Sequence, residues 1–134
     1  MQLNHCSNRV TKGSLDLVIT LFEEELGFRV LRKTPTSVWM RQGETLVDLQ
    51  FKETDAQPVG HDKHNSHVAF LSPTPREDLE ALGAWLHRQG RRFRIGSWSD
   101  KEFYLDAPDM FVDFAIEAMK PELSHYDEIP KKTA

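Results

Sequence analysis

Two histidines and two aspartates recur at matched places along the chain. His5 stands in Asn4-His5-Cys6 and His67 in Ser66-His67-Val68, 62 residues further on. Asp48 stands in Val47-Asp48-Leu49 and Asp113 in Val112-Asp113-Phe114, 65 residues apart. Imidazole and carboxylate are the side chains that move protons near neutral pH and that ligate divalent metals. A carboxylate set among apolar residues is costly unless something answers its charge. Asp48 and Asp113 therefore require a partner, whether a metal, a histidine or an arginine. Histidine–aspartate hydrogen bonding without metal meets that requirement as well as ligation does.

Other groups could join such a site. Gln50 shares a strand face with Asp48, and Glu117 with Asp113, because side chains two apart point the same way. Both are candidate ligands or cleft-lining groups, and a solvent-facing place near a strand end is expected for Glu117. His61, His64 and His67 are three apart, but Gly60 and Asn65 put them in a loop rather than on a metal-binding helix face. His87 suits the end of a helix, His125 falls in the tail, and Cys6 is expected to be buried opposite His5. Trp39, Trp98, Phe103 and Tyr104 belong to middle strands, as core or as substrate contacts. Arg41, Arg92 and Arg94 are surface cations that could meet an anionic substrate.

The elements that must position these groups follow from periodicity. Leu15, Val18, Ile19, Phe22 and Leu26 make one apolar stripe, which predicts a helix over 14–26, started by Ser14 and closed by Gly27. Thr74-Pro75-Arg76-Glu77 reads as a capping box, with Leu79, Leu82 and Leu86 below it and Gly90 at the end, which predicts a helix over 75–89. Gly83 weakens that helix unless something packs closely on it. Short strands are expected at 2–9, 28–33, 36–42, 45–53, 65–72, 92–98, 101–106 and 111–118, with 54–64 as a connecting loop and a loosely held tail from Lys120. The order is strand, helix, three strands, then the same again. The histidines, the helix-closing glycines and the Val-Asp-apolar triplets all repeat at an offset of 62–65 residues.

Composition sets the class. The chain has 134 residues, 39% hydrophobic and 28% charged, with a net charge of −4. That describes one globular domain with a real core and argues against nucleic acid as a partner. No apolar run is long enough to span a membrane, and no N-terminal signal segment stands out. One cysteine cannot form an internal disulfide, which suits the cytoplasm.

With these motifs in view, residues 2–118 resemble the vicinal oxygen chelate superfamily of glyoxalase I, fosfomycin- and bleomycin-resistance proteins and extradiol dioxygenases. Leu3-Asn4-His5, Leu26-Gly27-Phe28, Ser66-His67-Val68-Ala69-Phe70 and the run Tyr104 to Phe114 carry the resemblance. That last run is similar to the family's final hairpin, although Asp109-Met110 replaces its usual Gly-Asn.

The resemblance implies an α+β fold: two βαβββ modules, about 1–60 and 61–120, forming a curved, half-open mixed sheet around a cleft, with 121–134 as a tail. It implies a divalent ion (Zn, Ni, Mn or Fe), if any, held by His5, Asp48, His67 and Asp113, with Asp113 as the base in catalysis. Aspartate stands where the metal-binding relatives mostly carry glutamate, one methylene longer. Such an ion would be a Lewis acid for vicinal oxygens of a small molecule, giving a lyase or isomerase of the glyoxalase type. A metal-free binding protein of the bleomycin-resistance kind is the alternative, and ring cleavage a third. A twofold homodimer is expected, because half-open sheets leave edges.

Overall fold

The computed structural model describes residues 1–126. The chain forms two βαβββ modules in sequence. In the first, β1 (His5–Thr11) is followed by α1 (Leu15–Glu24), β2 (Phe28–Lys33), β3 (Ser37–Gln42) and β4 (Asp48–Thr54). In the second, β5 (His67–Leu71) is followed by α2 (Pro75–Arg88), β6 (Arg94–Ser97), β7 (Glu102–Asp106) and β8 (Ala115–Met119). Each module is a four-stranded mixed sheet, in the order β1-β4-β3-β2 or β5-β8-β7-β6. The first and last strands of each module run parallel side by side, and the other pairings are antiparallel. Among the described residues no helix is long and apolar enough to cross a membrane.

Each helix covers one face of its sheet. From α1, Leu15, Val18, Leu21 and Phe22 are buried, and from α2, Leu79, Leu82, Trp85 and Leu86. They meet the alternate strand residues Val10, Val38, Met40, Phe51, Leu105 and Ile116 in one continuous core. The two modules share this core: Phe28 meets Phe70 with ring centres 6.0 Å apart, and Phe51 meets Phe114 at 5.9 Å. Burial along β1 becomes complete only at Val10, beyond the free stretch at its start. Cys6 is therefore exposed rather than buried.

The second helix ends as expected, with Gly90 at φ 74° directly after its C-cap Gln89, whereas the first ends at Glu24, two residues short of the expected 26, and Gly27 at φ 70° turns the chain two residues past its C-cap Glu25. Their starts differ from expectation. Neither Ser14 nor Thr74 caps its helix with its side chain. The Thr74 hydroxyl instead donates to Asp78 Oδ1 at 3.1 Å, and Ser72 holds the other oxygen, so the reciprocal box with Glu77 does not form. At α1, Glu53 Oε2 accepts from the Leu15 N–H at 3.3 Å. Gly83 has a packing role: a Cβ there would lie 2.5 Å from the Phe93 ring.

The largest departure is the last strand, which begins at Ala115 rather than 111. A turn after Asp106 returns the chain to β1. Thr11 donates to the Met110 carbonyl at 2.9 Å, Val112 donates to the Arg9 carbonyl at 3.1 Å, and Val10 bridges Phe111. This segment joins the modules and delays entry into β8. The tail from Lys120 is ordered as far as a 3-10 turn at Pro121–Ser124, where Glu122 meets Lys101 at 3.5 Å. The remainder of the expected tail, 127–134, lies outside the described residues.

Candidate functional site

Strand parity sorts the expected site residues onto the sheet face that the helices leave open. Val68 and Phe70 pack toward the core while His67, Ala69 and Leu71 are exposed. His67 stands opposite Ala115 in the register, and Ala69 opposite Glu117. His67 thus reaches diagonally across to Glu117, its Nε2 lying 2.8 Å from Glu117 Oε2. The other ring nitrogen, Nδ1, lies 2.9 Å from the His64 carbonyl oxygen. A carbonyl only accepts, so Nδ1 carries the hydrogen and Nε2 is the atom aimed at the carboxylate. Glu117 is 4% exposed, not solvent-facing as expected. Burial pushes its carboxyl above the usual range, the charge of His67 pulls it back, and Glu102 nearby adds to the upward push.

An aromatic wall stands beside this pair. Tyr104 lies opposite Glu117 on β7. Its ring stacks on His64 with centres 4.7 Å apart and packs against Trp98 at 4.9 Å, while Trp98 lies 5.3 Å from His67. The ring of Tyr104 rests over Gly96, where an added Cβ would come within 2.2 Å of its outer atoms. Trp98 keeps 39% of its surface exposed. Of the three histidines spaced three apart, His64 and His67 therefore meet, through the carbonyl of His64 and the shared wall.

The first module presents a different set. His5 faces Asp48 in the register, and Ser7 faces Gln50. Asp48 is buried, yet it is answered by Arg41, whose Nε and Nη2 donate to its two oxygens at 2.7 and 3.0 Å. Those hydrogen bonds hold the Asp48 carboxyl below the usual range. His5 Nδ1 lies 2.8 Å from Asn4 Oδ1, and its ring stands 6.5 Å from Trp39.

Asp113 lies before β8 and meets Arg9 at 2.9 Å, half-exposed. The requirement that each aspartate be partnered is thus met in both cases by arginine. No hydrogen bond, ion pair or ring contact of His5 reaches His67. Among the described residues, no three His, Cys, Asp or Glu groups gather where one ion could touch them all.

The two registers explain the difference between the expected and observed groupings. Counted from each histidine, Glu117 of the second module corresponds to Gln50 of the first, and Asp48 corresponds to Ala115. The signal was available in Ile116-Glu117-Ala118, an apolar-acid-apolar triplet four residues after Val112-Asp113-Phe114.

As a test of fit for a divalent ion, the second module offers two donors. Two atoms each about 2.1 Å from one ion and ~90° apart lie about 3 Å from each other, close to the spacing of Nε2 and Oε2. The hydrogen bond from Nδ1 to a backbone carbonyl is the arrangement that orients a ligating histidine. Two donors fit; a complete first coordination shell from one chain does not.

The fold is shared with solved structures. A protein from Bacillus cereus called a possible glyoxalase matches at a TM-score of 0.59 and 19% identity, over 89% of this chain and 98% of that one. A lactoylglutathione lyase from Agrobacterium tumefaciens matches at 0.56 and 11% identity, over 93% and 97%. A Bacillus subtilis protein of unknown function matches at 0.52 and 18%, over 98% and 96%. No family model matches the sequence, and no curated protein matches it significantly. The chain has the fold of the vicinal oxygen chelate proteins, as its sequence implied.

Proposed function

We propose that the protein is a glyoxalase-type, metal-dependent enzyme acting on a small molecule through vicinal oxygens, and that His67 and Glu117 are the centre of its site. The roles expected for Asp113 as ligand and base pass in this proposal to Glu117. The observation that carries the reading is the pair itself: a buried carboxylate 2.8 Å from an imidazole nitrogen whose ring is fixed by the His64 carbonyl. A bound divalent ion would supply a Lewis acid for the substrate oxygens. The Glu117 carboxylate oxygen not engaged with the ion would take up the substrate proton, a task suited to a carboxylate pushed upward by burial. The wall of Trp98 and Tyr104 would exclude water on one side.

The remaining ligands come, in this proposal, from the partner of a twofold homodimer. A twofold axis can set the open face of one chain's first module, with His5 and Gln50, against the His67 face of its partner, forming two equal sites. Leu71 and Leu46, 56% and 80% exposed, are consistent with surfaces that a partner covers.

The test is calorimetry of chelator-stripped protein with Zn²⁺, Ni²⁺, Mn²⁺ and Fe²⁺. One ion per chain is expected, lost in His67→Ala and kept in Asp113→Asn. Absence of saturable binding, or binding that survives His67→Ala, overturns the metal reading. A metal-free binding protein is then the better account. The observation favouring it is that Arg41 already occupies Asp48, leaving an exposed Trp98 beside a closed imidazole–carboxylate pair.

A further inference from the structure

Lys63 is 6% exposed, an unusual place for a lysine. It opens a short 3-10 turn, Lys63–Asn65, entered through Asp62 at φ 58°, a left-handed conformation that costs energy in a residue with a Cβ. The turn delivers the ammonium inward, and Lys63 Nζ meets Asp106 Oδ1 at 2.8 Å, the side chains 5% and 7% exposed. Asp106 is the one acceptor that Lys63 Nζ meets among the described residues. Asp106 is then met a second time: Arg94 Nη2 donates to its other oxygen at 3.0 Å.

Two cations therefore share the Asp106 carboxylate, and Asp62 also lines the cavity beside them, so its lysine, arginine and aspartate charges balance. A buried ion pair contributes little to stability beside apolar packing of the same volume, so stability alone does not account for placing one here. Arg94 is the cation of the two that solvent reaches. Its side chain is 64% exposed, and one of its nitrogens is engaged with Asp106. Arg94 lines a cavity of about 470 Å³, together with Asp62, Lys63, His64, Tyr104 and Asp106. Arg94 lines the adjoining cavity of about 730 Å³ as well, with Arg91 and Phe93. A planar guanidinium with free donors is the side chain best matched to a carboxylate or phosphate.

We infer that Arg94, backed by Lys63, is an oxyanion-recognition site at the end of the cleft, and that the protein's small-molecule ligand carries a carboxylate or phosphate there. The inference deepens the proposed function by naming a charge on the substrate, and it rests on that reading only for the claim that the same molecule reaches both places. Asp106 is two residues along β7 from Tyr104, which faces Glu117. Two residues of strand span about 7 Å.

The experiment uses amide-resolved NMR of the full-length protein in chelator, so that no metal site contributes. Sodium phosphate and sodium acetate are titrated separately at constant ionic strength. Saturable shifts are expected in residues 61–64, at Arg94 and over 104–106. They should weaken about tenfold in Arg94→Gln, as for loss of a charge-assisted hydrogen bond, and recover partly in Arg94→Lys. Lys63 still meets Asp106 in Arg94→Gln, and the amide spectrum of the unliganded variant shows that its fold is kept before the titration is read. Saturation by phosphate alone assigns a phosphorylated ligand, and saturation by acetate assigns a carboxylate. Saturation by neither, or saturation unaltered in Arg94→Gln, overturns the inference. Because the metal is absent, a failed metal titration leaves this result standing, and the converse holds too.

Discussion

Glu117→Gln should separate stability from function. In the wild type, a carboxylate oxygen lies 2.8 Å from His67 Nε2 with its side chain 6% exposed. If the ring is charged, the attraction at an effective dielectric of ~20 is about 6 kcal/mol. Withdrawing two ions from water costs several kcal/mol each, so the pair contributes close to nothing net. Glutamine keeps the shape, and its amide can donate to the lone pair of a neutral Nε2. No buried charge remains, and Glu102 loses a like-charged neighbour. The variant should therefore be more stable than the wild type at pH 7, by about 1 kcal/mol.

The pH dependence fixes the sign. Burial raises the folded carboxyl of Glu117. Its contribution to stability is complete below the unfolded glutamate pKa of about 4.3 and is lost as pH rises through the folded value. The advantage of glutamine should therefore vanish at pH 4 and open above it. Urea unfolding at pH 4 and pH 7 reads this, and calorimetry should show metal affinity down by at least about 100-fold. A variant less stable than the wild type at pH 7, with metal affinity unchanged, would refute the reasoning, because Glu117 would then be a structural anchor alone.

Four further outcomes are expected. His5→Ala and His67→Ala chains should each fail to bind metal, but on mixing and refolding about a quarter of the sites should return, because half the dimers are mixed and each holds one intact composite site; no recovery refutes the shared site. Light scattering should give twice the chain mass of 15.5 kDa. Asp48→Asn should lower stability at pH 7, since Arg41 holds the wild-type carboxyl low. That difference should be present above the unfolded aspartate pKa of about 3.9 and fade as pH falls through the folded value, as urea midpoints would record. Gly96→Ala should displace the Tyr104 ring that rests on it, costing about 1–3 kcal/mol and changing the Trp98 fluorescence; an unchanged spectrum would show that the wall adapts without it.

The fold was legible because its signals are local and repeated. The stripe from Leu15 to Phe22, the stripe from Leu79 to Leu86 and the closing glycines Gly27 and Gly90 are properties of short windows. The repeat then gave the order of elements in each module, while the pairing of first with last strand is a finding of the structure. The grouping of the candidate site was less legible. His67 stands on the first strand of its module, as the repeat implied, and the carboxylate it meets is Glu117, four residues beyond Asp113. Asp113 fits a strand pattern in isolation. Residues 110–112 instead bind the end of β1, a contact some hundred residues away in sequence that no local window contains. The same holds for Arg9 and Arg41, which reach their aspartates by tertiary placement. Lys63 gave no sequence signal at all, since an isolated lysine in a polar loop reads as solvent-facing.

The segment that misled the strand assignment also ties the halves of the molecule together. Met110 and Val112 hydrogen-bond to the end of β1, the Val59 N–H donates to the Val112 carbonyl at 2.7 Å, and Phe114 packs on Phe51. Neither half carries a complete hydrophobic interior of its own. Separated, residues 1–60 would leave Phe28 and Phe51 facing water, and residues 61–120 would leave Phe70, Phe111 and Phe114 so. The two repeats should thus unfold as one cooperative unit, with a single thermal transition in circular dichroism. A strain applied at the β1 end is felt at the entrance of β8, two residues before Glu117.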